Sequence, residues 1–235
     1  MLNAETLVPA QQLAATNRAH YPNESAEYRS ARNSLLAEEI ELRRHIERVA
    51  RQRRMLPPGG ELAKDIELIS ESGQTSLARL FGERDTLMVY SMMYGPKRKA
   101  PCPMCTSFLS AWNGVAINLC ERLSIAVTAR SPIERLVDFK QQRDFANLTF
   151  ASDLSGEYTR TYVTSDDADV PGFSIFTRRF GVTRHFYSLE MSRTMADPGQ
   201  DPRGGPDLDP LWLMLDLTPQ GRGTDWYPKL EYGHP

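Results

Sequence analysis

The stretch Thr86-Leu87-Met88-Val89-Tyr90-Ser91-Met92-Met93-Tyr94 is a dense apolar run of strand length, and Cys102-Pro103-Met104-Cys105 follows it after a short basic loop. A run with no polar alternation suits a central strand covered on both faces. Beyond the cysteines, Phe108, Leu109, Trp112, Val115, Ala116, Leu119 and Cys120 recur near helical spacing between Cys105 and Leu123, and Ser124 to Thr128 reads as a second buried strand. A strand, a helix and a strand in that order predict a parallel crossover unit. The two cysteines then lie beyond the first strand, at the start of the helix.

Working outward, Ser131-Pro132-Ile133-Glu134 has the form of a helix opening, with Ser131 as cap and Pro132 in the first helical position, and the helix is expected to run to about Arg143. Leu148 to Ala151 supplies a further strand. Phe173 to Thr177 and Val182 to Ser188 read as a hairpin joined by Arg178-Arg179-Phe180-Gly181. Upstream, Asp65 to Ser70, the turn Glu71-Ser72-Gly73-Gln74 and Thr75 to Phe81 form an introductory hairpin. A Pro- and Gly-rich loop from Asp197 to Asp207 precedes a helical segment from Leu208 to Leu217. The predicted fold is α/β, a thioredoxin-like mixed sheet flanked by helices, with a long N-terminal helix and a C-terminal extension.

That long helix is read from Glu24 to Met55, where Tyr28, Leu35, Leu36, Ile40, Leu42, Ile46 and Val49 recur among Glu and Arg before Pro57-Pro58-Gly59-Gly60 ends it. Residues 1–60 are thus an arm and helix, and 61–235 the thioredoxin-like domain. One apolar stripe on such a helix calls for a partner surface, either the core or a second subunit in a homodimer. The arginines at 43, 44, 48, 51, 53 and 54 alternate with Glu38, Glu39, Glu41 and Glu47, the pattern of a solvated face.

The chain has 235 residues with 28 basic and 30 acidic side chains and a formal charge of -2, so no overall field favours nucleic acid or an anionic membrane. Met1 to Ser30 carry no apolar run long enough for a signal-peptide core, and nowhere do about 18 apolar residues follow one another as in a membrane span, which points to the cytoplasm. With 3 cysteines no secreted disulfide framework is possible, and in a reducing compartment a close pair points to redox or metal chemistry.

Amides and the dipole at a helix start favour a thiolate, and Lys97, Arg98 and Lys99 add positive charge, so Cys102 is the candidate nucleophile. Cys105, three residues further on, is the candidate resolving thiol. Pro103 and Met104 between them, with Pro171 before the hairpin, are the candidate substrate groove. Pro171 is equally an ordinary loop proline or a cis-proline facing the cysteines. Expected substrates are a protein disulfide, a small thiol or a peroxide. Cys120 reads as a packed small apolar residue.

Two thiolates are half of a zinc or copper site, but His20, His45, His185 and His234 are scattered and no second Cys pair completes it. Neither a Walker loop nor G-x-G-x-x-G nor a Ser-His-Asp arrangement with a nucleophile elbow is present, and no cofactor is expected. The rival to redox activity is a non-catalytic assembly protein on the same scaffold.

Several separated motifs resemble the largely bacterial domain-of-unknown-function family 899, classed as thioredoxin-like. They are Arg51-Gln52-Arg53-Arg54 with Leu56-Pro57; Ser76-Leu77-Ala78-Arg79-Leu80-Phe81; Tyr94-Gly95-Pro96 with Cys102-Pro103-Met104-Cys105; Ser131-Pro132 with Phe139-Lys140; Pro171-Gly172-Phe173-Ser174-Ile175-Phe176; and Leu215 through Arg222. The resemblance runs from about Leu35 to Tyr232. It implies a thioredoxin-like fold whose sheet opens toward the Cys loop, and both cysteines match the family's Cys-Pro-x-Cys; it implies no particular reaction.

Overall fold

A computed structural model describes residues 7–165, 168–189, 209–220 and 226–232. The chain divides into two compact units, Met1–Pro57 and Pro58–Pro235. The expected loop from Asp197 to Asp207 lies outside the described residues. Among those residues, no helix is long and apolar enough to cross a membrane.

In the first unit, α1 (Ala10–Ala15) packs on α2 (Ala26–Arg54). Ser25 accepts a hydrogen bond from the Tyr28 amide (3.1 Å) and starts the long helix there, two residues after Glu24. The expected stripe is only partly used: Leu36, Ala37 and Ile40 pack with Ala10 and Ala14, while Leu35, Leu42 and Ile46 are exposed. Helix α1 itself was not foreseen, since six residues are too few to show a period. The basic run is threaded by ion pairs, Arg44 with Glu41 (2.8 Å) and Arg54 with Glu47 (3.0 Å).

The second unit is built on a seven-stranded sheet in the order β2-β1-β5-β4-β3-β6-β7. The strands are β1 (Glu67–Ser70), β2 (Gly73–Ser76), β3 (Thr86–Ser91), β4 (Ser124–Ala129), β5 (Thr149–Ser152), β6 (Gly172–Arg179) and β7 (Val182–Leu189). Strands β3, β4 and β5 are parallel and are linked by α3 (Pro103–Leu119) and α4 (Ile133–Gln142); β6 and β7 extend the sheet antiparallel from β3. This is the thioredoxin-like arrangement, with the β1/β2 hairpin added beyond β5.

The unbroken apolar character of β3 and β4 has a direct cause, because both sheet faces are covered. Tyr90, Ile125, Val127, Phe150 and Phe173 join the inner sides of α3 and α4 on one face. Leu87, Val89, Ala126, Ala151 and Phe176 join Phe81 of a short 3-10 helix (Arg79–Phe81) and Tyr158 of α5 (Glu157–Tyr162) on the other.

Local details depart from the sequence reading. Strand β3 ends at Ser91, where the chain turns with the Tyr94 amide on the Met92 carbonyl (3.0 Å), so Met92 to Tyr94 belong to the loop. Gly73 and Gln74 lie in β2, leaving a tighter turn than expected, and Arg178 and Arg179 lie in β6. Helix α3 begins at Pro103, ahead of Cys105, and ends at Leu119, with Val115 on its exposed side. Ser131 does not cap α4. Pro132 is extended and takes the cap position, while the buried Ser131 hydroxyl donates to the Tyr94 carbonyl and so ties the loop after β4 to the loop before the cysteines.

The sequence reading also missed α5, whose six residues are largely polar. It is held from outside by Asp153, which is 1% exposed and accepts from the amides of Tyr158 (3.2 Å) and Thr159 (2.8 Å) and from the Thr159 hydroxyl (2.7 Å). Asp153→Ala leaves buried donors unsatisfied at a helix start and is expected to destabilise the fold by about 2 kcal/mol. Urea unfolding checks this, and a change below about 0.5 kcal/mol contradicts it.

Candidate functional site

Cys102 is the N-cap of α3, with extended backbone angles (φ -65, ψ 127), and Pro103 follows in the first turn, where its missing N–H costs nothing. The Cys102 amide donates to the Met93 carbonyl (3.0 Å), fixing both ends of the loop that follows β3. The Cys102 carbonyl accepts from the amide (3.0 Å) and hydroxyl (2.9 Å) of Thr106. The site is therefore set by strand end and helix start together, with Cys102 at the cap and Cys105 the third residue of the helix, both within the first turn.

Both thiols are free and nearly covered, Cys102 with 6% and Cys105 with 2% of its surface exposed. Their acidities are driven apart. The Cys102 thiol is lowered from an ordinary value of 9.0 to about 6. The main cause is the Cys105 thiol, which hydrogen-bonds its sulfur; the amides of Cys105 and Met104 and the charge of Arg98 add to it, against the opposing effect of burial. These amides act at the positive end of the helix and are not short capping bonds. The Cys105 thiol is raised well above 9.0, first by its bond with Cys102, then by burial and by the Cys102 charge. It accepts from the Tyr90 hydroxyl (3.2 Å) and the Met93 amide (3.5 Å).

Arg98 is held by parts the sequence reading did not connect. Its Nε donates to Asp169 (2.5 Å), its Nη2 lies on the Met93 sulfur (3.5 Å), and its carbonyl accepts from Arg135, whose guanidinium covers the Tyr94 ring (3.9 Å). Asp169 also accepts from the Gly95 amide (3.2 Å), and a Cβ at Gly95 would stand 3.0 Å from that same oxygen. Glycine permits this approach.

Pro171 precedes Gly172, which pairs with Ser91 at the end of β3, so it lies at the sheet end from which the Cys loop departs. Among the described residues no peptide bond is cis, which decides between the two readings of Pro171 in favour of an ordinary trans proline. Pro103, Met104 and Pro171 are half-buried. Cys120 is the C-cap of α3 and packs, half-buried, against the core. Tyr90, Asp169 and Asp209 were not singled out by sequence; Asp209 is buried just before α6 (Pro210–Leu215), and its charge helps keep Tyr90 protonated. Among the described residues, no group of three or more His, Cys, Asp and Glu is placed to hold a metal ion.

Such a pair suits stepwise sulfur chemistry, with one thiol ionised and one holding its proton. At pH 7 a thiol with a value of about 6 is roughly nine-tenths thiolate. Alkylation of Cys102 is expected to rise with pH around a midpoint near 6, followed by peptide mass spectrometry, with Cys105 inert over the same range. A midpoint near 9 contradicts the geometry. Because the folded value lies below the unfolded one, the thiolate's contribution to stability is complete above pH 9 and disappears as pH falls through about 6.

The profile of the family described as "Bacterial protein of unknown function (DUF899)" matches residues 18–232. None of the curated proteins matches the chain. Solved structures with similar folds include reduced Prx3 from Vibrio vulnificus, at 11% identity and a TM-score of 0.45, covering 61% of this chain and 92% of that one. The peroxiredoxin-like protein from Aquifex aeolicus has 14% identity and a TM-score of 0.42, covering 57% and 75%. Peroxidoxin BcpB from Mycobacterium tuberculosis has 18% identity and a TM-score of 0.42, covering 57% and 85%.

Proposed function

From the premise that the chain belongs to the DUF899 family of bacterial proteins, and from the geometry of its cysteine pair, we propose that it is a thiol-dependent oxidoreductase in which Cys102 and Cys105 form a reversible dithiol/disulfide couple. The observation that carries this reading is the placement of both sulfurs in the first turn of α3, Cys102 at its N-cap and Cys105 held by the Tyr90 hydroxyl and the Met93 amide, an arrangement that drives their acidities apart. The Cys102 thiolate attacks one sulfur of a substrate disulfide, forming a mixed disulfide and expelling the other half as a thiolate. Cys105 then attacks the Cys102 sulfur, the second half departs, and the Cys105 proton goes to that departing thiolate. Two electrons pass from the dithiol to the substrate.

A hydroperoxide enters by the same first step. The thiolate takes the terminal hydroxyl as the O–O bond breaks, the alkoxide, or hydroxide from hydrogen peroxide, leaves and takes a proton from water, and Cys105 condenses with the Cys102 sulfenic acid with loss of water. Arg98 supports the attacking state in both cases, since its charge favours the thiolate. The test is to treat the reduced protein with stoichiometric oxidised glutathione or hydrogen peroxide and count free thiols. Loss of the thiols of Cys102 and Cys105 together, restored by dithiothreitol and with peptide mapping joining the two residues, is the expected result. A pair that stays reduced under both oxidants removes the proposal.

A further inference from the structure

Tyr90 lies on β3, fifteen residues before Cys105 in sequence, and its hydroxyl donates to the Cys105 sulfur at 3.2 Å. The ring has little freedom. It is 3% exposed and packs against Phe108 (centroids 4.8 Å apart) and Trp112 (5.8 Å), both on α3. A second donor, the Met93 amide, reaches the same sulfur at 3.5 Å. A buried hydroxyl and a partly buried amide thus lie against a neutral thiol, which is a weak acceptor and a poor return for desolvating them. They match a sulfur that becomes negative.

Resting on the dithiol reading above, we infer that Tyr90 is a catalytic residue of the resolving step, its hydroxyl stabilising the charge that develops on Cys105 as that sulfur attacks the Cys102 mixed disulfide. The Cys105 S–H bond breaks, the Cys105–Cys102 bond forms, and the bond from Cys102 to the substrate sulfur breaks. The proton goes to the departing thiolate, or to water where that thiolate is a weak base. Tyr90 keeps its own proton throughout, as burial and the neighbouring Cys105, Cys102 and Asp209 all hold the phenol in its neutral form. Donors fixed in advance toward a developing charge need no rearrangement when it appears. The arrangement separates the two steps, with helix amides and Arg98 serving Cys102, and Tyr90 and Met93 serving Cys105.

The test uses dithionitrobenzoate on the full chain carrying Cys120→Ser, so that only the pair reports. Attack by Cys102 releases one coloured thiolate and closure by Cys105 releases a second. Tyr90→Phe preserves the ring and removes the hydroxyl. The expected result is a first release at the parental rate and a second slowed by about tenfold or more, with the mixed disulfide accumulating between them. A second release within about twofold of parental, or both releases slowed in parallel, overturns the inference. In a Cys102→Ser background, Tyr90→Phe is expected to move the pH profile of Cys105 alkylation upward; an unmoved profile also overturns it. If the parental protein gives no second release, the dithiol reading fails by itself, and the Cys105 profile still decides whether Tyr90 donates to the thiolate.

Discussion

Cys102→Ser is expected to abolish reduction of disulfides and peroxides, with a loss of roughly a thousandfold or more, while Cys105→Ser stops the protein after one attack. Serine at 102 cannot ionise near neutrality, and the helix-start amides that favour a thiolate do nothing useful for a neutral hydroxyl. Serine at 105 leaves Cys102 ionised, because a hydroxyl still donates toward the neighbouring sulfur. The first exchange therefore proceeds and the mixed disulfide remains. Alanine at 105 removes that donor, which is the largest influence lowering Cys102, so its alkylation midpoint moves up from about 6 toward 9. Mass spectrometry of the trapped adduct separates the variants. Equal activity in Cys102→Ser and the parent, or an adduct on Cys105 in place of Cys102, contradicts the assignment of roles.

Trp112→Ala is expected to cost about 3–5 kcal/mol of folding stability, a large part of the roughly 5–15 kcal/mol that such proteins possess. Trp112 is 6% exposed on the inner side of α3 and contacts rings from three directions. Its centroid is 4.6 Å from Phe108, 5.8 Å from Tyr90 on β3 and 5.6 Å, edge to face, from Phe173 on β6. Removing the indole leaves a cavity that three rigid neighbours cannot close, and it takes one of the two α3 rings away from Tyr90. Guanidinium unfolding checks this through the midpoint at unchanged slope. A loss below about 1 kcal/mol means that α3 rearranges to fill the space, contrary to the packing described.

Much of the frame was written in local sequence. The unbroken runs in β3 and β4 showed strands covered on both faces, because a strand with one wet face must alternate. The Cys102-Pro103 step marked the start of α3, since proline's fixed φ and missing N–H suit the first helical turn. Ser131 misled, as its hydroxyl had a stronger claim elsewhere, on a carbonyl thirty-seven residues away that a capping rule does not see. Helices α1 and α5 were too short to repeat a pattern.

The candidate site divides in the same way. Sequence alone determined that two cysteines, with two residues between them, stand at the mouth of a helix after a buried strand, because each of those facts depends only on neighbours along the chain. Tertiary structure decided what surrounds them: Asp169 beside Arg98, the Tyr90 hydroxyl on Cys105, and the trans proline at 171. Periodicity records that Tyr90 faces a covered side of the sheet, but a helix laid over that side sets which sulfur its hydroxyl meets. Charges and hydrogen bonds act across distances in space, and the order of residues along a chain leaves those distances open until the sheet is assembled.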